Sequence, residues 1–147
     1  MPWLAPDEKL GERTYANREA YEWLRAHSKP TAIVQQNPAS VVQDSFYELY
    51  SNRRTVVEDV QCATQFGGDP KACAPLQKEI RPLFESPSTV DKLDAVCAAL
   101  PVDFVVAKDT DAVWGGLDNW MWRRRPLFGN RFVRIFRCAR GVSKPLR

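Results

Sequence analysis

Apolar residues recur every three to four positions in several stretches of the chain, and turn-forming residues mark the ends of these stretches. The spacing over 14–26 predicts a helix that ends before the turn at Pro30. A second helix is predicted over 90–100, because its apolar residues share one helical face and Pro101 follows them. Shorter helices are predicted over 45–50 and 76–83.

Short runs rich in β-branched and aromatic residues predict strands over 31–35, 55–57, 104–107 and 131–138. The third run is continuously apolar, which is typical of a strand covered on both faces. Because strands alternate with helices, the sequence predicts an α/β fold with a small, mostly parallel sheet of about four strands flanked by helices. The last strand follows a loop instead of a helix, which would allow it to run antiparallel at an edge.

The length of 147 residues fits one domain. We expect a flexible leader over 1–13, a single α/β domain over 14–140 and a basic tail over 141–147. The longest nearly apolar stretch, 95–102, falls well short of the roughly 18 residues that a membrane-spanning helix needs. Charged residues within the leader argue against a signal peptide. The sequence therefore predicts a soluble domain and leaves its cellular compartment undetermined.

Basic residues are concentrated towards the end of the sequence. Residues 119–147 carry eight arginines, one lysine and no acidic residue, whereas the preceding part holds the other 12 of the 21 basic residues and all 18 acidic ones. This asymmetry is typical of a segment that meets an anionic partner, and also of a solvated basic end that complements an acidic body. Nucleic acid is the least favoured partner, because the body is acidic and no recognition-helix motif occurs.

The four cysteines allow disulfides but do not indicate a metal site. Cys62 and Cys73 flank a turn-rich stretch, so one bridge can join them. Cys97 lies in a helical pattern and Cys138 in a strand pattern, and these two could form a second bridge or remain buried thiols. Either bridge would imply an oxidising compartment. No C-x-x-C pair is present and His27 is the single histidine, so we predict no metal.

Nucleotide-binding and catalytic motifs are absent. The sequence contains no G-x-G-x-x-G, no phosphate-binding G-x-x-x-x-G-K-[ST] and no G-x-S-x-G elbow, so we predict no cofactor and no catalytic residue. Asp59, Asp109 and Asp111 follow predicted strands, where ligands bind in open α/β sheets. They form a candidate polar site for a hydroxyl-rich or phosphorylated ligand. The alternative is that they form turns, which aspartate commonly does after strands.

The stretch 113–126 has the most unusual composition of the chain. It combines three tryptophans with an arginine run, and its candidate contact residues are Trp114, Trp120, Trp122, Arg123, Arg124 and Arg125. Tryptophan beside arginine suits a membrane interface, a sugar ring, a protein surface or stacked bases. The alternative is that the tryptophans cover the sheet as core residues.

The order of several segments resembles a known architecture. The segments are AYEWLRA at 20–26, AIVQQNP at 32–38, LYSNRRTVV at 49–57, PVDFVVA at 101–107 and FVRIFR at 132–137. Over about residues 18–138 they resemble the soluble C-terminal domain that follows the last membrane helix in multi-pass glycosyltransferases acting on lipid-linked sugars. In those enzymes the catalytic carboxylate lies between early membrane helices, so the resemblance carries no catalytic residue over to this chain.

The resemblance implies a non-catalytic accessory module on the extracytoplasmic face of a membrane. Its implied partners are the membrane surface, the membrane-embedded portion of a glycosyltransferase, and a glycan or lipid-linked sugar. The alternative is a small enzyme or binding protein whose ligand occupies the carboxyl ends of the strands. If the chain stands alone, the residues indicate only a soluble protein.

Overall fold

The computed structural model describes residues 8–38, 50–57 and 70–138. The helices are α1 (Glu8–His27), α2 (Pro70–Ile80), α3 (Val90–Ala99) and the single turn α4 (Trp120–Arg123), with 3-10 turns at Arg81–Phe84 and Ala112–Gly115. The strands are β1 (Val34–Gln35), β2 (Phe104–Lys108), β3 (Phe128–Gly129) and β4 (Val133–Arg137). None of the described helices is both long enough and apolar enough to cross a bilayer.

The four strands form one mixed sheet in the order β1-β2-β4-β3. Only β1 and β2 are parallel, whereas β4 is antiparallel to both β2 and β3. The α/β class is confirmed, but the prediction of a mostly parallel sheet is wrong. Strands β3 and β4 are antiparallel because a tight turn joins them. Strand β4 also pairs antiparallel with β2, and the connection between these two contains only single helical turns and β3, with no long crossover helix of the kind that joins parallel strands. The side chain of Asn130 closes this turn by accepting the N–H groups of Phe132 and Val133.

Strand β4 runs antiparallel, as its position after a loop allowed, but it does not lie at the edge of the sheet. Strand β3 pairs with its outer side through Phe128, opposite Ile135. The two-residue length of β3 explains why no sequence pattern predicted it.

The predicted strand over 55–57 is reduced to one parallel bridge between Ile33 and Arg54. The side chain of Gln35 replaces the missing ladder bonds. Its Oε1 accepts the N–H groups of Val56 and Val57, and its Nε2 donates to the carbonyl of Val57. Of the predicted helix over 45–50, all but the last residue lies outside the described residues.

Helix α1 covers one face of the sheet, and α3, α4 and the 3-10 turn at Arg81–Phe84 cover the other. Towards α1 the core contains Tyr21, Leu24, Val106 and Ile135. The opposite core contains Phe84, Leu93, Val105, Trp120 and Phe136, among others. All five residues of β2 are buried because both faces are covered, as its continuously apolar pattern predicted. Helix α1 begins at Glu8, earlier than predicted, and its first turns are anchored by the Arg13–Asp109 ion pair.

The disulfide between Cys97 and Cys138 is present and joins α3 to the end of β4. It therefore links a covering helix covalently to the central part of the sheet. Cys73 is also disulfide-bonded, and its predicted partner, Cys62, lies outside the described residues. No cysteine in the described part of the chain is a free thiol.

Candidate functional site

Trp120 belongs to the core, which was the alternative interpretation of the tryptophan-rich stretch. Its side chain is fully buried, and its ring lies edge-on to Phe136 with 5.0 Å between the centroids. Its indole Nε1 donates to the carbonyl of Leu83 at 2.8 Å, so the buried polar atom is satisfied. Trp120 therefore offers no surface to a partner.

Trp114 and Trp122 are half-buried and form a rigid pair. Their rings meet edge-to-face with centroids 5.6 Å apart, and Trp122 Nε1 donates to the carbonyl of Trp114 at 2.9 Å. The buried side chain of Asn119 holds the chain between them, donating to the carbonyl of Val113 and accepting the N–H of Ser88. The two indoles are thus positioned before any partner arrives.

Arginines surround this pair in different ways. The guanidinium of Arg134, on β4, lies 4.3 Å from the centroid of Trp122, within range of a cation–π interaction. Arg123 pairs with Asp118 at 2.9 Å in the open, and Arg124 pairs with Asp94 of α3 at 2.9 Å. Arg125 is exposed. Arg124 is therefore tied to the fold, whereas Arg123, Arg125 and Arg134 remain at the surface.

The connection from the 3-10 turn to α4 adds an exposed apolar side chain. Leu117 is 77% exposed, an unusual environment for a leucine that follows two glycines. A Cβ at Gly116 would lie 2.9 Å from Nδ2 of Asn119, so a larger residue there would displace this hydrogen-bonded side chain. We call the combination of Trp114, Leu117, Trp122, Arg123, Arg125 and Arg134 the aromatic–arginine surface.

The predicted polar site is organised around the carboxyl ends of β1 and β2. The carboxylate of Asp109 accepts two bonds from Arg13, at 2.8 and 3.2 Å. The buried carboxylate of Asp111 accepts the N–H of Lys108 and the amide of Asn37, both at 2.9 Å. Asp59, the third predicted member, lies outside the described residues.

Sequence reasoning missed the partners that hold these carboxylates. Lys108 is buried at the end of β2, with its Nζ 5.3 Å from the ring centroid of Tyr21. Tyr21 in turn donates its hydroxyl to Gln36 at 3.3 Å. The sequence feature that could have indicated these contacts is Lys108 itself, a lysine at the end of an otherwise apolar strand pattern.

The two described carboxylates are occupied by donors from the chain itself. A carboxylate that accepts a turn N–H and an amide is positioned to fix the backbone, and this favours the turn interpretation for Asp111. Within residues 8–38, 50–57 and 70–138, no group of three or more histidine, cysteine, aspartate or glutamate side chains is arranged to hold a metal ion. The aromatic–arginine surface is therefore the stronger candidate for contact with a partner.

No protein-family model, curated protein or solved structure matches the chain. Its function is therefore inferred from the geometry of its own residues.

Proposed function

We propose that this chain is a non-catalytic accessory module that contacts an anionic membrane surface through its aromatic–arginine surface. The observation that carries the proposal is the exposed Leu117, which lies between Trp114 and Trp122 in the sequence, together with the two positioned indoles and three surface arginines. The implied partner in the membrane is the embedded portion of a glycosyltransferase that acts on lipid-linked sugars, as the segment order suggests. A glycan or lipid-linked sugar is the cargo of such an assembly.

Each component of the surface fits a different layer of a bilayer. Indole rings prefer the headgroup level, where an apolar ring and a polar N–H are both accommodated. Burying the leucine side chain among acyl chains contributes roughly 1.5–3 kcal/mol. Near an anionic surface, Arg125 and Arg134 each add about 1 kcal/mol, whereas Arg123 adds less because Asp118 offsets its charge. Together these terms support reversible attachment, comparable to that of peripheral membrane proteins.

One further feature supports an oxidising compartment, and another supports a non-catalytic role. The Cys97–Cys138 disulfide persists where thiols are not kept reduced, as on the extracytoplasmic side of a membrane. The carboxylates of Asp109 and Asp111 are already engaged by Arg13, Lys108 and Asn37, which supports a structural role over a catalytic one. In the alternative, a small enzyme at the strand ends, a substrate would have to use the remaining acceptor positions of these two carboxylates.

Vesicle co-sedimentation tests the proposal. We expect the protein to sediment with vesicles of equal parts phosphatidylcholine and phosphatidylglycerol, to bind pure phosphatidylcholine weakly, and to dissociate as salt is raised. Leu117→Ser and the double variant Arg123→Ala/Arg125→Ala should each reduce binding several-fold. Arg25→Ala, which removes an exposed arginine from α1 on the opposite face of the sheet, is the matched control.

The proposal fails if both vesicle types bind equally, or if the Leu117 and arginine variants bind as the wild type does. Circular dichroism of each variant shows whether the fold is retained. We expect it to be retained, because all four substituted side chains are exposed.

A further inference from the structure

A groove runs along α1 where the helix faces the β3–β4 hairpin. It comprises two adjoining clefts of about 580 and 500 Å³ that share Tyr15 and Glu19 in their linings. The hairpin contributes Phe128 to the first cleft and Asn130, Arg131 and Phe132 to the second. Volumes of this size are typical of small-molecule sites. None of these residues belongs to the aromatic–arginine surface or to the polar site.

Two aromatic rings in the groove, Trp23 and Phe128, are held in place before any ligand binds. Trp23 stacks on His27 with 4.3 Å between the centroids and leans against Phe128 at 5.4 Å. The hydrogen bond between His27 Nδ1 and the carbonyl of Trp23, at 2.9 Å, holds this stack in place. Tyr15 lies two helical turns earlier and is 72% exposed. A ligand would therefore meet a preformed apolar surface at Trp23 and Phe128 and would have to order only the side chain of Tyr15.

Polar side chains alternate with these rings along the same side of α1. Arg18 pairs with Glu22 at 3.4 Å, Glu12 with Arg131 at 3.0 Å, and Glu19 accepts from Asn130 at 3.0 Å. The charges of Glu22 and Glu12 are thus balanced by Arg18 and Arg131, whereas Asn130 is neutral and leaves the negative charge of Glu19 uncompensated. A carboxylate has about four acceptor positions and a guanidinium five donors, so both can also bond a ligand.

This lining selects a class of ligand. An anion would find no uncompensated positive charge in this lining, and a cation would find only that of Glu19. A purely apolar molecule would cover the charged pairs and remove their hydration. A molecule that fits must present apolar C–H faces to the rings and several neutral hydroxyl groups to the glutamates and Arg18. Neutral saccharides combine these two features.

We infer that the groove between α1 and the β3–β4 hairpin binds a short neutral oligosaccharide. Tyr15 and Trp23 are eight residues apart, which places them about 12 Å apart along the helix axis, far enough for more than one sugar ring. The inference goes beyond the proposed membrane contact and does not depend on it, because the two surfaces share no residue.

The test is a titration of the full chain with maltotetraose, cellotetraose and chitotetraose, followed by the tryptophan indole N–H signals in ¹⁵N-correlated NMR spectra. We expect at least one of these sugars to shift the signal of Trp23 and to leave those of Trp114 and Trp122 in place. Tyr15→Ala should then weaken binding about five- to tenfold, because it removes one aromatic contact. The double variant Glu19→Gln/Glu22→Gln should weaken it several-fold by altering the hydroxyl acceptors.

Leu117→Ser is the matched control for the loss of an exposed apolar side chain outside the groove, and it should leave sugar binding unchanged. The inference is overturned if none of the three sugars shifts the Trp23 signal. It is equally overturned if a sugar shifts only Trp114 and Trp122, or if Tyr15→Ala binds as tightly as the wild type. Because the titration contains no lipid, failure of the membrane proposal does not affect its outcome.

Discussion

Replacing Cys97 and Cys138 together with alanine removes the covalent link between α3 and the end of β4. The two cysteines are separated by 41 positions in the sequence. Closing a loop of that length in the unfolded chain corresponds to about 4 kcal/mol of stabilisation in the chain-entropy model. A domain of this size is typically stable by about 5–15 kcal/mol, so the variant should fold but unfold much more easily.

Thermal unfolding followed by circular dichroism gives the clearest measurement. For a domain of about 150 residues each kcal/mol lowers Tm by roughly 2–4 °C, so we expect the double variant to melt about 8–16 °C below the wild type. Ala98→Ser, an exposed position on the same helix, should change stability by less than about 0.5 kcal/mol.

The double variant isolates this one bridge, because a reductant would also open the bridge of Cys73. If the variant unfolds within about 1 kcal/mol of the wild type, the reasoning that the link between α3 and β4 constrains the unfolded chain is refuted.

Two further predictions separate residues that look alike in the sequence. Asp111→Ala leaves the Lys108 N–H and the Asn37 amide without their described acceptor, so it should lower the free energy of unfolding by about 2–4 kcal/mol, measured in urea. Asp109→Ala breaks a partly exposed ion pair and should lower it by about 1 kcal/mol or less. Equal costs would contradict the different roles assigned to them. Trp120→Ala should lower the free energy of unfolding by about 3–5 kcal/mol, because the ring is fully buried, and Trp122→Ala should lower it clearly less. Calorimetry measures both, and a larger loss for Trp122→Ala would contradict the placement of the two rings.

The sequence predicted those helices and strands whose apolar spacing is visible within the element itself. The continuous apolar run of β2 predicted burial on both faces, and the apolar spacing over 90–100 predicted α3. The pairing of Cys97 with Cys138 was one of two open alternatives, since a helical and a strand cysteine meet only through the tertiary fold.

The relative directions of the strands could not be predicted, because they depend on which distant segments pair with one another. Strand β3 has two residues and no pattern of its own, yet it turns the last strands into a hairpin. Similarly, the side chain of Gln35 takes the backbone bonds of Val56 and Val57, so a β-branched run that favours a strand forms none.

The candidate surface was only partly predictable for a related reason. Trp120 and Trp122 lie two positions apart on one helical turn, and their hydrophobicity gives no indication of which ring faces the core. The answer depends on the carbonyl of Leu83, which accepts from Trp120, and on Arg134, which lies over Trp122. Both partners come from distant parts of the sequence.

Quenching of tryptophan fluorescence by brominated lipid chains tests the membrane contact most directly. Bromine quenches only rings that reach the acyl region, so vesicles of brominated phosphatidylcholine and phosphatidylglycerol should quench the wild type. The variant Trp114→Phe/Trp122→Phe should lose most of this quenching while its three remaining tryptophans still fluoresce. Equal fluorescence of the wild type with brominated and unbrominated vesicles, under conditions where it sediments with both, would contradict insertion of the aromatic–arginine surface.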